Sequence, residues 1–83
     1  MDNKLIIRFK NVKLNQEYDI EVPADLTANE LIYGLKNSFN LNINMDDPKD
    51  CFLRAENPIA LIRGEAEITS LGLHDGSVIF YEK

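Results

Sequence analysis

Cysteine is nearly absent from this sequence, and Cys51 is the only one among 83 residues. A single thiol cannot form a disulfide within the chain, nor can it supply the ligands of a four-cysteine zinc site or an iron–sulfur cluster. No histidine or basic residue adjoins Cys51 to activate it, so we expect a small buried or half-buried thiol rather than a reactive one. This cysteine usage is typical of a reducing cytoplasm.

Long apolar runs are absent as well. The longest, at residues 59–62 and 78–81, have four residues each, whereas about 20 are needed to span a bilayer. Met1 to Lys4 lead directly into an alternating segment, without the apolar core or cleavage site of a signal peptide. We therefore expect no direct membrane insertion and a cytoplasmic location, with any peripheral membrane association made through a protein partner.

Positive charge is scarce. Nine Lys and Arg residues against fourteen Asp and Glu residues give a net charge of -5. This balance repels phosphate backbones and anionic lipid surfaces, so we expect no nucleic acid partner. The chain has only three prolines and is 45% hydrophobic, which is the composition of an ordinary folded domain. Residues 1–83 are predicted to form a single domain around one hydrophobic core.

Motifs of catalytic, cofactor and metal sites are also lacking. The four glycines are scattered and form no phosphate-binding loop. Ser70, His74 and Asp75 have the residue types of a hydrolase triad, but they share one short turn, and we interpret them as turn residues. The acidic residues at 46–50 lack the glycine and the terminal glutamate of an EF-hand loop. We predict no catalytic residue, no cofactor and no metal.

Two alternating segments open the chain. Residues 4–10 alternate between apolar and mainly basic side chains, and residues 17–22 alternate between acidic and apolar ones until Pro23. A period of two indicates strands with one face inward. With the turn at 11–15 between them, they predict an antiparallel hairpin in which a basic outer row lies against an acidic outer row.

A helix is predicted to begin at Thr27, because the hydroxyl of Thr27 and the carboxylate of Glu30 have the spacing of a capping box. An apolar stripe at helical period follows and is expected to cover the sheet; it consists of Ala28, Leu31, Ile32, Leu35 and Phe39. Gly34 lies off this stripe and costs about 1 kcal/mol relative to alanine in a helix interior. We interpret it as a sign of a close neighbour.

The second half of the chain predicts shorter elements. A loop at 40–50 has Leu41, Ile43 and Met45 as apolar anchors, and strands follow at 51–55, 59–63 and 77–81. The last strand is apolar on both faces, which suits a central position beside the first strand. The order of elements predicts an α+β fold, the ubiquitin-like β-grasp, with a mixed sheet of four to five strands and one helix packed across it.

Residues 18–23, 26–32 and 71–79 carry a resemblance to a known family. In these positions the sequence resembles the YukD/EsaB family, ubiquitin-like accessory proteins of the type VII (WXG-motif) secretion systems of Gram-positive bacteria, and the resemblance covers nearly the whole chain. It implies an accessory or regulatory cytoplasmic component that binds membrane-bound secretion machinery. Such a protein is a protein-interaction module and not an enzyme.

The closing residues bear on conjugation. Ubiquitin-type modifiers and sulfur carriers are activated at a C-terminal Gly-Gly, whereas this sequence contains no Gly-Gly and closes with Phe80-Tyr81-Glu82-Lys83. Bulky and charged side chains would clash in a narrow activating site, so we expect a domain that is not conjugated and does not act as a sulfur carrier. A self-associating structural domain is the other alternative, and the predicted state is a monomer or a weak homodimer.

Two candidate partner-binding surfaces follow from these predictions. The first is the outer face of the sheet, where four apolar residues and one cation could be adjacent: Ile6, Phe52, Val78, Phe80 and Arg54. The alternative is that a central strand is simply apolar on both sides, or that the loop covers it. The second candidate surface is the exposed face of the helix, with Tyr33 and Lys36.

Overall fold

A computed structural model describes residues 3–82 of the chain. Its elements are β1 (Lys4–Asn11), β2 (Gln16–Pro23), α1 (Ala28–Phe39), β3 (Leu53–Glu56), β4 (Ala60–Ile62) and β5 (Val78–Tyr81). The strand order is β2-β1-β5-β3-β4, with β1 and β5 parallel and the other pairs antiparallel. The predicted mixed sheet with one helix, and the central last strand beside the first, are thus confirmed.

The β1–β2 hairpin carries the two opposed rows of charge. Three ion pairs cross it, Lys4–Glu21 at 3.4 Å, Arg8–Asp19 at 3.3 Å and Lys10–Glu17 at 3.0 Å. The prediction of a basic row against an acidic row is therefore confirmed. Because all three pairs lie at the surface, each contributes only about 0–1 kcal/mol to stability.

Helix α1 begins with the predicted capping box. The Thr27 Oγ1 accepts a hydrogen bond from the Glu30 amide at 3.1 Å, and the Glu30 Oε1 accepts one from the Thr27 amide at 2.9 Å. The helix ends at Phe39 and is followed by its C-cap, Asn40, whose backbone is left-handed with φ 55°. Ala28, Leu31, Ile32 and Leu35 of the predicted stripe are buried against the sheet, and Phe39 is half-buried.

One expectation for α1 was wrong. An added Cβ at Gly34 would meet nothing within 4 Å, so no close neighbour explains this glycine. It lies where α1 faces β2, at the edge of a groove between the two elements.

The loops after α1 contribute to the same core. Leu41 and Ile43 are buried as expected, and Ile68 and Leu73 are buried below the turn that precedes β5. All four belong to the same cluster of buried side chains as Leu31 of α1, Leu53 of β3 and Ile62 of β4, so one core extends through the domain.

Strand β3 begins two residues later than predicted, at Leu53 instead of Cys51. The Cys51 amide donates to the Asp47 carbonyl at 2.8 Å and the Phe52 amide to the Asp50 carbonyl at 3.0 Å. These bonds close a turn and take the place of ladder bonds to a neighbouring strand. Strands β4 and β5 are likewise shorter than predicted, since they start at Ala60 and Val78.

The only helix assigned within residues 3–82 is α1, with 12 residues. No helix in this part of the chain is long and apolar enough to cross a membrane.

Candidate partner-binding site

The outer face is the side of the sheet that points away from α1. On β5, Ile79 and Tyr81 are buried on the inner side, so Val78 and Phe80 lie on the outer face, where they are half-buried. The pairing of β5 with β1 and β3 sets Phe80 between Lys10 and Arg54. The Lys10 Nζ lies 5.6 Å from the centroid of the Phe80 ring, within cation–π range. An aromatic ring in the middle of the sheet is therefore flanked by two cations.

Each of these cations also has a carboxylate partner. Lys10 pairs with Glu17 across the hairpin at 3.0 Å, and the Arg54 Nη1 lies 3.2 Å from Glu82. Both pairs are exposed, so water and salt screen them and they can open at little cost. The border of the outer face is thus charged but locally balanced, which favours a partner that exchanges ion pairs over one drawn in by a strong field.

Two hollows divide the outer face. The first has a volume of about 460 Å³ and is lined by residues that include Ile6, Arg8, Val78 and the turn at 75–76. The second has a volume of about 280 Å³ and is lined by residues that include Phe52, Arg54, Phe80 and Glu82. The five candidates chosen for the outer face therefore lie on that face but in two groups.

The position of Ile6 explains this division. The Ile6 amide donates to the Asp75 Oδ1 at 2.8 Å, and its carbonyl accepts from the Gly76 amide at 3.0 Å. These bonds hold Ile6, which is 53% exposed, against the turn that precedes β5. Val78 is its neighbour in the first hollow, whereas Phe80 lies in the second.

Phe52 reaches the outer face from a turn. It was predicted to lie on a strand, but it precedes β3 and is half-buried. It nevertheless lines the second hollow together with Phe80 and Arg54. Phe52 is therefore part of the outer face, but it lies in the turn before β3 and not on a strand as predicted.

Tyr33 and Lys36 form a separate surface. Tyr33 is 57% exposed and Lys36 is half-buried. Because α1 covers the inner side of the sheet, these two residues cannot contact a ligand bound at Phe80 in the same small interface. The two candidate surfaces predicted from the sequence thus remain distinct in the fold.

Cys51 is buried, as expected. Burial raises the pKa of its thiol above the usual value, and the positive charge of Lys36 acts in the opposite direction with a smaller effect. The raised pKa disfavours the thiolate, which is the nucleophilic form. Its Sγ lies 3.7 Å from the Met45 sulfur and 3.7 Å from the Asn29 Oδ1.

Carboxylates that could suggest chemistry serve as hydrogen-bond acceptors in loops. The Asp50 Oδ2 accepts from the Asn44 amide at 2.6 Å, and the Asp47 Oδ1 accepts from the Lys49 amide at 3.0 Å. In the described part of the chain, no three His, Cys, Asp or Glu residues are grouped so that they could hold a metal ion.

Sequence reasoning missed two apolar residues near the outer face. Leu61 on β4 is 45% exposed and pairs with Arg54, so it lies on the outer face. Val12 is 52% exposed, and its amide donates to the Tyr81 carbonyl at the end of β5. A period of two, extended through residues 60–62 and past Lys10, would have placed both side chains outward.

Comparison with solved structures identifies the fold of this chain. No family model matches the sequence, and no curated protein matches it. A designed protein based on ubiquitin has a TM-score of 0.65 and 12% identity, over 93% of this chain and 84% of the other. The UBL domain of Plasmodium falciparum Dsk2 has a TM-score of 0.62 and 14% identity, over 94% of this chain and 97% of the other.

The UBL domain of yeast Ddi1 also has a TM-score of 0.62, with 20% identity over 92% of this chain and 86% of the other. The chain has the ubiquitin-like β-grasp fold. At these low identities the ubiquitin-like fold is what the likeness shows, and it does not single out the YukD/EsaB family among proteins that share it.

Proposed function

We propose that this chain is a ubiquitin-like protein-interaction module, not an enzyme, and that it acts through the outer face of its sheet. The observation that carries the proposal is the position of Phe80 on the central strand, half-buried between Lys10 and Arg54. An apolar centre with a charged border is the usual arrangement of a protein-binding surface. The partner is a protein that inserts an apolar side chain beside Phe80 and places acidic groups near the two cations.

The module works without being conjugated. Tyr81 is buried, its hydroxyl accepts a hydrogen bond from the Asn42 amide at 2.9 Å, and Glu82 is paired with Arg54. These contacts hold Tyr81 and Glu82 against the domain, which supports recognition of a folded surface.

For the setting, we propose the cytoplasmic side of a bacterial type VII secretion system. Support comes from the resemblance of residues 18–23, 26–32 and 71–79 to the YukD/EsaB family. The chain would then be an accessory or regulatory component, held at the membrane only through a membrane-bound protein of the secretion apparatus. It is a monomer, or a weak homodimer, when it binds.

The test is crosslinking capture from the membrane fraction of the native host, with a Phe80→Glu variant. The substitution places a carboxylate in the apolar centre of the face, so capture of the partner is expected to be lost. Ile59→Glu is the matched control, because Ile59 is 91% exposed and lines neither hollow. Ile59→Glu is expected to capture the partner as the unchanged protein does.

Thermal unfolding of both variants completes the experiment. If Phe80→Glu lowers the melting temperature by more than about 10 °C, the side chain is a structural part of the sheet and not a binding residue. Capture that survives Phe80→Glu would place the binding site elsewhere. Capture of a partner that is neither a secretion ATPase nor a membrane subunit of the secretion apparatus would overturn the type VII assignment. It would leave the outer face as a binding site.

A further inference from the structure

A second groove lies between β2 and α1, on the side of the sheet opposite the outer face. Its volume is about 390 Å³. The apolar side chains of its lining are Ile20, Val22, Leu26, Leu31, Leu35 and Phe39. Three of these side chains, Ile20, Leu26 and Phe39, are only half-buried, so the edge of the hydrophobic core is open to solvent along the length of α1.

Gly34 keeps this groove open. Within α1 it has no backbone need for glycine, because its φ is not positive, and no neighbour lies within 4 Å of the Cβ that another residue would have. Glycine in a helix interior is unfavourable relative to any ordinary residue. The effect that remains is that the missing side chain leaves space between α1 and β2, beside Leu31 and Leu35.

The strand that borders the groove has a free hydrogen-bonding edge. The Ala24 amide donates to the Asn3 carbonyl at 2.9 Å, and hydrogen-bonded pairs alternate in an antiparallel ladder. Even-numbered residues of β2 therefore bond to β1, while the N–H and C=O groups of Glu17, Asp19 and Glu21 point away from it. Within residues 3–82, β2 is an edge strand with no neighbour on that side.

The charges on β2 select the occupant. Side chains of Glu17, Asp19 and Glu21 would lie beside the outer side chains of any strand added at this edge. A second copy of β2 would set acidic residues against acidic residues, which is destabilising. An added strand with Lys or Arg at these positions would be attracted instead.

Strand β1 already provides an example of such a partner. It alternates apolar and basic residues, and its Lys4, Arg8 and Lys10 pair with the same acidic row at 3.0 to 3.4 Å. Each carboxylate has two oxygens and can accept from cations on both sides. A strand with the same alternation of apolar and basic residues could therefore bind the free edge of β2 as β1 binds the other edge, through backbone hydrogen bonds and the acidic row.

We propose that this groove binds an extended segment of a partner protein in which Lys or Arg alternates with aliphatic residues. The segment adds to the free edge of β2, with its aliphatic side chains in the groove beside Gly34 and its cations outward, against Glu17 and Asp19. A helix of 12 residues spans about 18 Å, which matches a strand of about five or six residues. This surface is distinct from the outer face and extends the proposed function.

Two capped octapeptides test the proposal, one with lysine alternating with valine and one with glutamate alternating with valine. On titration into the isotopically labelled protein, the lysine peptide is expected to shift the amide resonances of residues 17–22 and 31–35. The glutamate peptide is expected to leave them unchanged. Gly34→Leu should weaken binding of the lysine peptide by about tenfold or more, because the leucine side chain fills the space that a valine of the peptide would occupy.

Asn37→Leu is the matched control, because Asn37 is exposed on the same helix but does not line the groove. It should bind the lysine peptide as the unchanged protein does, and leucine at either position favours the helix, so both variants are expected to fold. Phe80→Glu should also bind the peptide normally, which separates this proposal from the function of the outer face.

Several outcomes would overturn the proposal. One is equal binding of both peptides, and another is binding of the lysine peptide that Gly34→Leu does not weaken, which would indicate charge attraction alone. Concentration-dependent dimerisation that is lost in Gly34→Leu would place a second copy of the chain in the groove. The absence of any shift with the lysine peptide at millimolar concentration would also contradict it.

Discussion

Gly34 and Gly72 show how differently one residue type can be used. Gly34 has helical geometry and open space around it, whereas Gly72 has φ +94°, and an added Cβ there would lie 2.9 Å from the Pro58 Cγ. Only the second glycine is required by the backbone and by its neighbour. At Gly34 the residue type is a cost to the helix, which is why its presence points to the groove.

Alanine substitutions at these two positions should have opposite effects. Gly34→Ala is expected to stabilise the fold by about 0.5–1 kcal/mol, because alanine is the better helix former. Gly72→Ala is expected to destabilise it by more than about 1 kcal/mol, because alanine is strained at positive φ and would contact Pro58. Urea denaturation of both variants measures the two changes, and a loss of stability in Gly34→Ala would contradict our account of the groove.

The thiol of Cys51 provides a second test at this scale. Burial raises its pKa in the folded state, so the folded chain retains the proton at a pH where the unfolded chain has lost it. The resulting contribution to stability is present below the unfolded pKa and is lost as the pH rises through the folded pKa. Alkylation by iodoacetamide at pH 8 is therefore expected to be slow in buffer and fast in urea; rapid alkylation in buffer would indicate an accessible thiolate.

At the scale of elements, sequence patterns predicted the features that depend on residues close together in the chain. The alternation of residues 4–10 and 17–22 and the Thr27 capping box led to the hairpin and to the start of α1. The start of β3 could not be predicted in this way, because the turn bonds of Cys51 and Phe52 depend on how the preceding loop closes. For the candidate site, the outward direction of Val78 and Phe80 was predictable, but their separation into two hollows depends on the register between β1 and β5.

The start of α1 is also held from outside the helix. The Ala28 amide donates to the Ala66 carbonyl at 2.9 Å, and the Asn29 amide donates to the Gly64 carbonyl at 3.0 Å. Amides of the first helical turn have no partner within the helix, so a distant segment satisfies two of them while Thr27 satisfies a third. The capping box and this segment together determine where the helix can begin.

Thr27→Ala tests the local part of this arrangement. Loss of the hydroxyl removes the acceptor for the Glu30 amide and is expected to cost about 1 kcal/mol, which lowers the melting temperature by about 4–8 °C for a domain of this size. Thr27→Ser retains the hydroxyl and is the control. Equal destabilisation by both substitutions would attribute the effect to the lost methyl group instead of the cap, and thermal unfolding distinguishes the two.

For the whole molecule, β5 joins parts of the chain that are far apart in sequence. It pairs with β1 on one side and with β3 on the other, and its Tyr81 hydroxyl bonds to the loop after α1. The inner side chain of Ile79 is completely buried between Phe9 and Ala55 in the paired strands. The sheet is therefore continuous only when the last strand is in place.

This dependence predicts that removing side-chain volume at Ile79 weakens the domain as a unit. Ile79→Ala is expected to cost about 2–5 kcal/mol, since it leaves a cavity in a packed core. Ile59→Ala makes the same chemical change at a position that is 91% exposed, and it should change stability by no more than about 0.5 kcal/mol.

Hydrogen exchange, measured for each amide separately, tests whether the domain opens as a unit. In Ile79→Ala, the slowest amides of β1, β3 and α1 should all lose protection by a similar factor, because they exchange through one cooperative opening. If β1 and α1 kept their protection while β3 lost it, the strands would unfold separately and β5 would not unite the sheet.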